Sequence, residues 1–457
     1  MNRELSTLPG LERPTRIRYG VLGFVSSLSM ITYLDRVCWG AAMTSIIAAL
    51  ELKNEGDLKW ANTAFAITYA LFEIPSGWLG DVYGPRKTLI RIVLWWSAFT
   101  ALTGLVGISV AGVALGGLMT MVTIRALFGM GEAGAYPNIT RALHNWFPFS
   151  QRAAAQGTIW MSGRLMGGLT PFVWWALVET LHLHWRGAFL LFGVIGVGWC
   201  VLFALWFRNR PEEKKTVNAA EEELILAGRQ DTGAGHAHVP WGHLIKSGNL
   251  WALCMMYFCA GYGWYFNITL LPTFLEKHFN VPRDSLIGAL YKGGPLWMGA
   301  FSCLIGGWMS DRFIRATGNR KWGRRLFGVV GHSLSAICWL ACLWMPTVFW
   351  FFLACSLAAF WNDLTMGASW AVCQDIGKRY AAIVAGCMNT IGNLGSAATG
   401  YITGTILQAQ SEETMLRGYH INFVIFAAAY VVAMLLWLVI DSTKPVIPDD
   451  KPIAASG

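Results

Sequence analysis

GWLGDVYGPRK at residues 77–87 decides the fold, because its opening returns as GWMSD at 307–311, an offset of 230. A second stretch repeats at almost the same spacing. Gly157, Gly163, Leu165 and Thr170 return as Gly386, Gly392, Leu394 and Thr399, an offset of 229. Two unrelated stretches share one offset, and that offset is about half of the 457-residue chain, so the chain is internally duplicated. Apolar runs surround both copies, at 19–46, 60–80, 88–109, 112–136, 153–178, 185–207, 249–274, 285–309, 326–346, 348–370, 381–407 and 419–440. The runs predict an all-α integral membrane protein of twelve transmembrane helices in two six-helix pseudo-symmetric halves. Parallel repeats of this kind place a pathway along their pseudo-two-fold axis, with a binding site near the midplane.

Composition agrees. Hydrophobic residues make up 55% and charged residues 13%, against about 25% charged in soluble domains. This excludes a soluble enzyme, a disordered chain and a collagen. Continuous apolar runs, without strict alternation, exclude a transmembrane β-barrel. Nine of the ten cysteines fall inside the apolar runs, Cys373 lies just past the tenth, and none forms a CxxC pair, which argues against disulfides and zinc. The polar start MNRELSTLPGLERPTRIRYG has no apolar signal core.

A net charge of +9 raises the question of nucleic acid, but the placement of the charge answers it. With the N-terminus in the cytoplasm, 25 of the 35 Lys and Arg fall on the cytoplasmic side or at a cytoplasmic span end, six outside or at an outer span end, and four deep within the spans. This is the positive-inside pattern of a multi-pass protein with both termini cytoplasmic. The domain plan is a tail over 1–18, a six-helix bundle over 19–207, a polar linker over 208–248, a second bundle over 249–440 and a tail over 441–457. His236-x-His238 in the linker and His182-x-His184 outside lack a third ligand nearby, so no metal is expected.

Charges within the spans are costly and therefore informative. Asp35 and Arg36 sit mid-span in MITYLDRVCWG, and Arg125 and Glu132 lie seven apart on one helix face. Arg164, Lys292, Glu73 and Asp363 complete the set. Guanidinium groups keep their proton and clamp anions in a bidentate fork. Dehydrated carboxylates exchange protons. Together they point to anion transport coupled to protons, with structural ion pairing as the competing reading. Tyr33, Tyr69, Tyr136, Tyr262, Tyr265, Asn267, Asn389 and Asn393 suit a polyhydroxylated ligand or, equally, helix–helix contacts. Gly77, Asp81, Gly84 and Arg86, with Asp311 in the second copy, read as a gating turn. Glycine permits close approach, and the aspartate can accept from the N–H groups of another helix terminus.

Gly77–Arg86, the 6+6 layout and the central linker resemble the major facilitator superfamily. YLDR at 33–36, RALFGMGEAGAYPN at 125–138, NWFP at 145–148 and NTIGNLG at 389–395 resemble its anion:cation symporter family. GYGWYFNITLLPTFL at 261–275 and WNDLTMGASWAVCQDIGKRYA at 361–381 are similar to its bacterial sugar-acid branch, the glucarate, galactonate and hexuronate transporters. The resemblance implies that Arg36 contacts a substrate carboxylate. It implies too that Arg125 and Glu132 belong to the substrate and proton machinery, and that Asp35 takes part in protonation. Lys292 in YKGGP lies outside the shared pattern and offers a second anion contact.

The resulting expectation is a proton-coupled importer of a sugar acid (hexonate, hexarate or hexuronate) working by alternating access in the inner membrane. It needs no cofactor, is not an enzyme and acts as a monomer; its partners are the organic anion, protons and the bilayer, with no nucleic acid. Within the class the rivals are aromatic or dicarboxylic acids and phosphate. A non-transporting sensor would carry an output domain, and none is expected after Ile440. An intramembrane enzyme would show HExxH or GxSxG chemistry, which the sequence lacks.

Overall fold

Apolar runs punctuated by Gly and Pro become helices broken where those residues fall. The structure, a computed structural model, describes residues 13–52, 58–110, 113–226, 241–281, 286–411 and 413–447. Its helices in chain order are α1 (Ile17–Ala41), α2 (Met43–Ala49), α3 (Lys59–Tyr83), α4 (Pro85–Thr103), α5 (Leu118–Glu132), α6 (Ala135–Trp146), α7 (Arg152–Trp175), α8 (Trp185–Trp206) and α9 (Ala219–Leu226). After these come α10 (Trp241–Lys246), α11 (Gly248–Thr269), α12 (Leu271–Phe279), α13 (Leu286–Thr317), α14 (Arg320–Ala341), α15 (Val348–Leu364), α16 (Met366–Gly377), α17 (Ala381–Gln408) and α18 (Met415–Val439). Every expected span carries helix, and the architecture is all-α apart from one short hairpin.

That hairpin departs from the sequence expectation. The run from 112 was read as helix, yet Ile108–Val110 pairs antiparallel with Val113–Leu115, and helix starts only at Leu118. Ile108, Val110 and Val113 are β-branched, and Gly107 and Gly116 flank the strands at φ 73 and 78, so the local chemistry favours strand over helix. Four expected spans are also interrupted, the first at Ala42 and the seventh at Leu270. The fourth breaks at Ala133–Gly134, where Gly134 takes φ 84. The tenth breaks at Thr365. These last two breaks leave an acid near the C-terminal end of the preceding half-helix, Glu132 on α5 and Asp363 on α15.

Five of the described helical stretches are long and apolar enough to cross a membrane on composition alone, among them α1, α8 and α18. Others carry the charges that matter, or are cut short by the breaks. α3 includes Glu73, Pro75 and Asp81, and α5 has only 15 residues.

The chain forms two compact units, one of Met1–Pro148 with Thr158–Arg229 and one of Phe149–Gly157 with Gln230–Gly457. The first has a core of Leu34, Cys38, Trp39, Ile46, Phe189 and Phe192. The second is more aromatic, with Phe266, Phe274, Trp339, Phe351, Phe423 and Phe426 in mutual contact. Glycine sets the closest approaches. A Cβ at Gly129 would stand 2.5 Å from the Phe65 carbonyl oxygen, so α3 and α5 approach backbone to backbone there.

The linker is stitched to the first helix. Arg16 precedes α1 with no side-chain cap. Glu221 of α9 supplies one instead: it accepts from the Ile17 and Arg18 amides at 2.8 and 3.1 Å, from Thr15 Oγ1 at 2.6 Å and from Arg18 Nη1 at 2.9 Å. A carboxylate at a helix N-terminus satisfies orphan N–H groups and complements the dipole. Burial pushes the Glu221 carboxyl up, but the bonds from Thr15, Arg18 and Ile17 outweigh it and hold the group below its usual range. Its contribution is therefore present above the ordinary carboxylate pKa and is lost as pH falls through the folded value. Glu221→Gln is expected to speed amide exchange over residues 15–20 at neutral pH, and acid should reproduce that change in the wild type; hydrogen-exchange mass spectrometry reads both.

Candidate functional site

The polar residues of the first unit gather on α1, α3, α5, α6 and α7. Arg36 Nε donates to Glu132 Oε1 at 2.8 Å. The two ends of this pair differ in exposure: the Glu132 side chain is 1% exposed and that of Arg36 is 30%. The acid is buried, then, while the guanidinium reaches open space. Glu132 Oε2 has no hydrogen-bond partner among the described residues. The Arg36 guanidinium lies 4.7 Å from the Tyr69 ring centre and 6.0 Å from that of Phe65.

Arg125, two turns before Glu132, meets rings in place of carboxylates. Its guanidinium carbon lies 4.4 Å from Trp39, 4.5 Å from Phe65 and 5.1 Å from Phe128. Its Nε has no hydrogen-bond partner among the described residues. Ring faces stabilise a dehydrated guanidinium by cation–π attraction, while its N–H edge remains a donor for an anion. Arg36 and Arg125 thus share the Phe65 ring between them. Asp35 points elsewhere, as the ~100° step between neighbours on a helix requires. It is buried, and neither carboxylate oxygen has a hydrogen-bond partner among the described residues.

Aromatic packing supports this cluster. The Tyr33 ring covers Gly163 and Gly167 of α7, where an added Cβ would come within 2.6 and 2.9 Å of it. Tyr136 stacks on Trp160 at 4.5 Å, its hydroxyl 3.0 Å from Ser29 Oγ. The Arg164 guanidinium lies 5.8 Å from the Trp160 ring centre.

The other sequence candidates lie in the second unit. Lys292 is in an ion pair with Glu276 at 2.9 Å, both side chains about one-fifth exposed. Asn389 and Asn393 sit one turn apart on α17, Asn389 buried. The Tyr265 side chain lies outside the described residues, as does His236-x-His238. Sequence reasoning missed Trp39, Phe65, Phe128 and Glu276. The i, i+4 spacing of Phe65 and Tyr69 was the available signal for the aromatic cage.

The two copies of the glycine–aspartate motif are wired differently. Asp81 Oδ1 is 3.5 Å from Arg141 Nε. Gly84 takes φ 86, which lets α3 stop and α4 begin at Pro85. Arg86 bonds the Ala204 carbonyl near the end of α8, and its amide donates to Asn209 Oδ1 at 2.9 Å. In the second copy, Asp311 accepts from Arg324 at 2.7 Å and from the Ala154 amide at the start of α7 at 2.7 Å. This is the helix-terminus contact that the sequence suggested for the motif. Asp375 joins the network through Arg152 at 3.0 Å and Arg324 at 3.2 Å.

The Major Facilitator Superfamily model matches residues 25–400. The chain belongs to the major facilitator superfamily. This is a family of multi-pass membrane transporters and not of enzymes. Curated relatives are anion transporters. Probable sulfoacetate transporter SauU of Cupriavidus necator is 30% identical and covers 98% of both chains. Probable galactarate/D-glucarate transporter GudP of Escherichia coli is 26% identical, over 86% of this chain and 89% of its own. Among solved structures, a bacterial homologue of the iron transporter ferroportin in an outward-facing state aligns with TM-score 0.65 at 13% identity, over 92% of this chain and 98% of its own. The human organic anion transporter MFSD10 aligns with TM-score 0.62 at 14% identity, over 93% of this chain and 100% of its own. At such identities the two structures speak to the fold alone.

Two substitutions test the site. Arg36→Lys keeps the charge but loses the planar fork, so it should weaken anion binding by about tenfold or more; Arg312→Lys should not. Ligand-induced thermal shifts with D-glucarate and sulfoacetate measure this, and unchanged affinity would remove Arg36 from the site. Asp81→Asn should leave affinity nearly unchanged and slow turnover several-fold, because a gate acts between conformations. Equal losses in both would make the motif purely structural.

Proposed function

We propose that this organic-anion transporter is a proton-coupled symporter that imports a sugar acid, a hexonate, hexarate or hexuronate, by alternating access. It works as a monomer in the inner membrane with both termini cytoplasmic. The observation that carries the reading is the Arg36–Glu132 pair, one partner buried and the other partly open. A substrate carboxylate can take the place of Glu132 on Arg36. The displaced Glu132 then loses its counter-charge in a dehydrated setting, and binding a proton removes that cost. Linkage makes the effect reciprocal, so protonation of Glu132 favours substrate. Asp35 is the second candidate for proton carriage. Arg125, Tyr33, Tyr69, Arg164, Asn389 and Asn393 are proposed to complete substrate recognition. Lys292, engaged with Glu276, is a weaker candidate.

A second reading has specific support. The relative named for sulfoacetate matches over nearly the whole chain at higher identity than the relatives named for galactarate and glucarate. Sulfoacetate is a short dianion, and two guanidiniums sharing one ring suit two anionic ends. Uptake into proteoliposomes of labelled D-glucarate, D-galactonate, D-glucuronate and sulfoacetate, with and without a pH gradient, separates the two.

Glu132→Gln mimics the protonated state. It is expected to keep substrate binding and counterflow while losing accumulation driven by a pH gradient. If the variant still concentrates substrate under an imposed gradient, Glu132 is not the coupling group and Asp35 takes its place.

A further inference from the structure

Asp363 repeats Glu132 at an offset of 231, within one residue of the spacing that duplicates the rest of the chain. Both acids lie at the C-terminal end of the first half of a broken helix, and both are 0% exposed. Their surroundings have diverged. The residue that repeats Arg36 at offset 230 is Phe266, which packs into the aromatic core against Trp339, Phe423 and Phe426. The second acid is thus kept in a unit that does not repeat the arginine.

What surrounds it is polar and titratable. Asn362 Nδ2 donates to Asp363 Oδ1 at 3.0 Å, and Asn362 Oδ1 has no hydrogen-bond partner among the described residues. On the other side, Gly299 of α13 makes room for the carboxylate, since a Cβ there would stand 2.1 Å from Asp363 Oδ2. On α14, His332 is 0% exposed, with Nε2 3.5 Å from Thr365 Oγ1 and its ring stacked on Tyr430 of α18 at 5.7 Å. His332 Nδ1 has no hydrogen-bond partner among the described residues. Tyr430 in turn lies within electrostatic reach of Asp363 and beside Ser335 and Trp339.

Two charged groups on the packed elements have ion-pair partners of their own. Arg324 of α14, about 12 Å along the helix from His332, is tied to Asp311 and to Asp375 of α16. Lys292 of α13, about 10 Å from Gly299 along the helix, is held by Glu276. Cys355 on α15, two turns before Asp363, donates to Asn267 of α11.

We infer that Asp363, with His332 and Tyr430, forms a second proton-binding site, lying in the second unit and distinct from the Arg36–Glu132 pair. A phenol within electrostatic reach of the acid, with a histidine stacked on its ring, favours a proton over a sodium ion, whose shell would need several convergent oxygens. The site adds one proton per transport cycle, which matches the demand of a dianionic substrate, and this consequence alone rests on the symport reading.

The protonation is read without transport. Purified full-length Asp35→Asn/Glu132→Gln protein is titrated with pH in infrared difference spectroscopy, following the protonated-carboxyl C=O band. A titrating band should remain in that background, disappear with Asp363→Asn, and shift its midpoint with His332→Gln, which guards against a misfolded Asp363→Asn. A band that survives Asp363→Asn, a midpoint indifferent to His332→Gln, or a band that responds to sodium in place of pH overturns the proposal. In proteoliposomes loaded by counterflow with D-glucarate or sulfoacetate, Asp363→Asn should retain exchange. Its steady-state accumulation should fall about tenfold per unit of imposed pH gradient, the equivalent of one coupled proton; accumulation equal to wild type overturns the stoichiometric claim. Wild type that accumulates neither anion under a pH gradient refutes the proposed function, while the infrared result still decides the site.

Discussion

A carboxylate cannot stay charged in a dehydrated interior without a counter-charge, and in the first unit Glu132 meets that demand first through Arg36, with Arg125 a second cation within electrostatic reach. The desolvation of each ion costs several kcal/mol, and removing one partner of a buried pair costs ~3–5 kcal/mol. Such a pair contributes little to net stability yet strongly constrains which charge states occur together. An anion that takes Arg36 must be accompanied by something that neutralises Glu132. Ring faces on Tyr69 and Phe65 hold the Arg36 guanidinium in place, so the exchange of one carboxylate for another does not require the cation to move far.

Duplication provides two copies of this constraint, and the copies have drifted apart. Helix breaks at Ala133–Gly134 and at Thr365 keep an acid at the same place in each half. In the first the neighbours are cationic and aromatic. In the second they include Asn362 and Tyr430, with His332 stacked on the tyrosine ring. The glycine–aspartate motif shows a parallel drift. Asp81 lies 3.5 Å from Arg141, whereas Asp311 accepts from both Arg324 and a helix-terminal amide at 2.7 Å. Short charge-assisted bonds are the stronger kind, and Asp311 makes two.

The helical architecture was legible because a membrane span is a one-dimensional signal: about twenty apolar residues, whatever they later pack against. The duplication was legible for the same reason, since GWLGD and GWMSD need no partner to be recognised. The hairpin over 108–115 was not, because an apolar run does not state its own periodicity when Gly and β-branched residues share it. Site chemistry was half legible. Arg36, Arg125 and Glu132 stood out as costly charges, but the sequence set Glu132 beside Arg125 on one helix face. The fold instead turns it to Arg36 across α1 and α5 and gives Arg125 to Trp39, Phe65 and Phe128. Lys292 likewise carries no mark of Glu276, sixteen residues earlier, until α12 and α13 are folded together.

Helix ends close the argument, because they are where this chain concentrates its fixed electrostatics outside the site. The first turn of α1 is capped by Glu221 from the linker, and the first turn of α7 by Asp311 from α13. Neither cap comes from its own helix. A local cap fixes a helix in any arrangement of its neighbours, whereas a cap from a distant segment holds only while that segment stays docked. Releasing either contact re-exposes helix-terminal N–H groups, which must find water or another partner at once, while Asp311 keeps its ion pair with Arg324. Such a coupling links the state of a helix end to the position of a remote segment, a requirement for a transporter whose cycle depends on contacts that form and break.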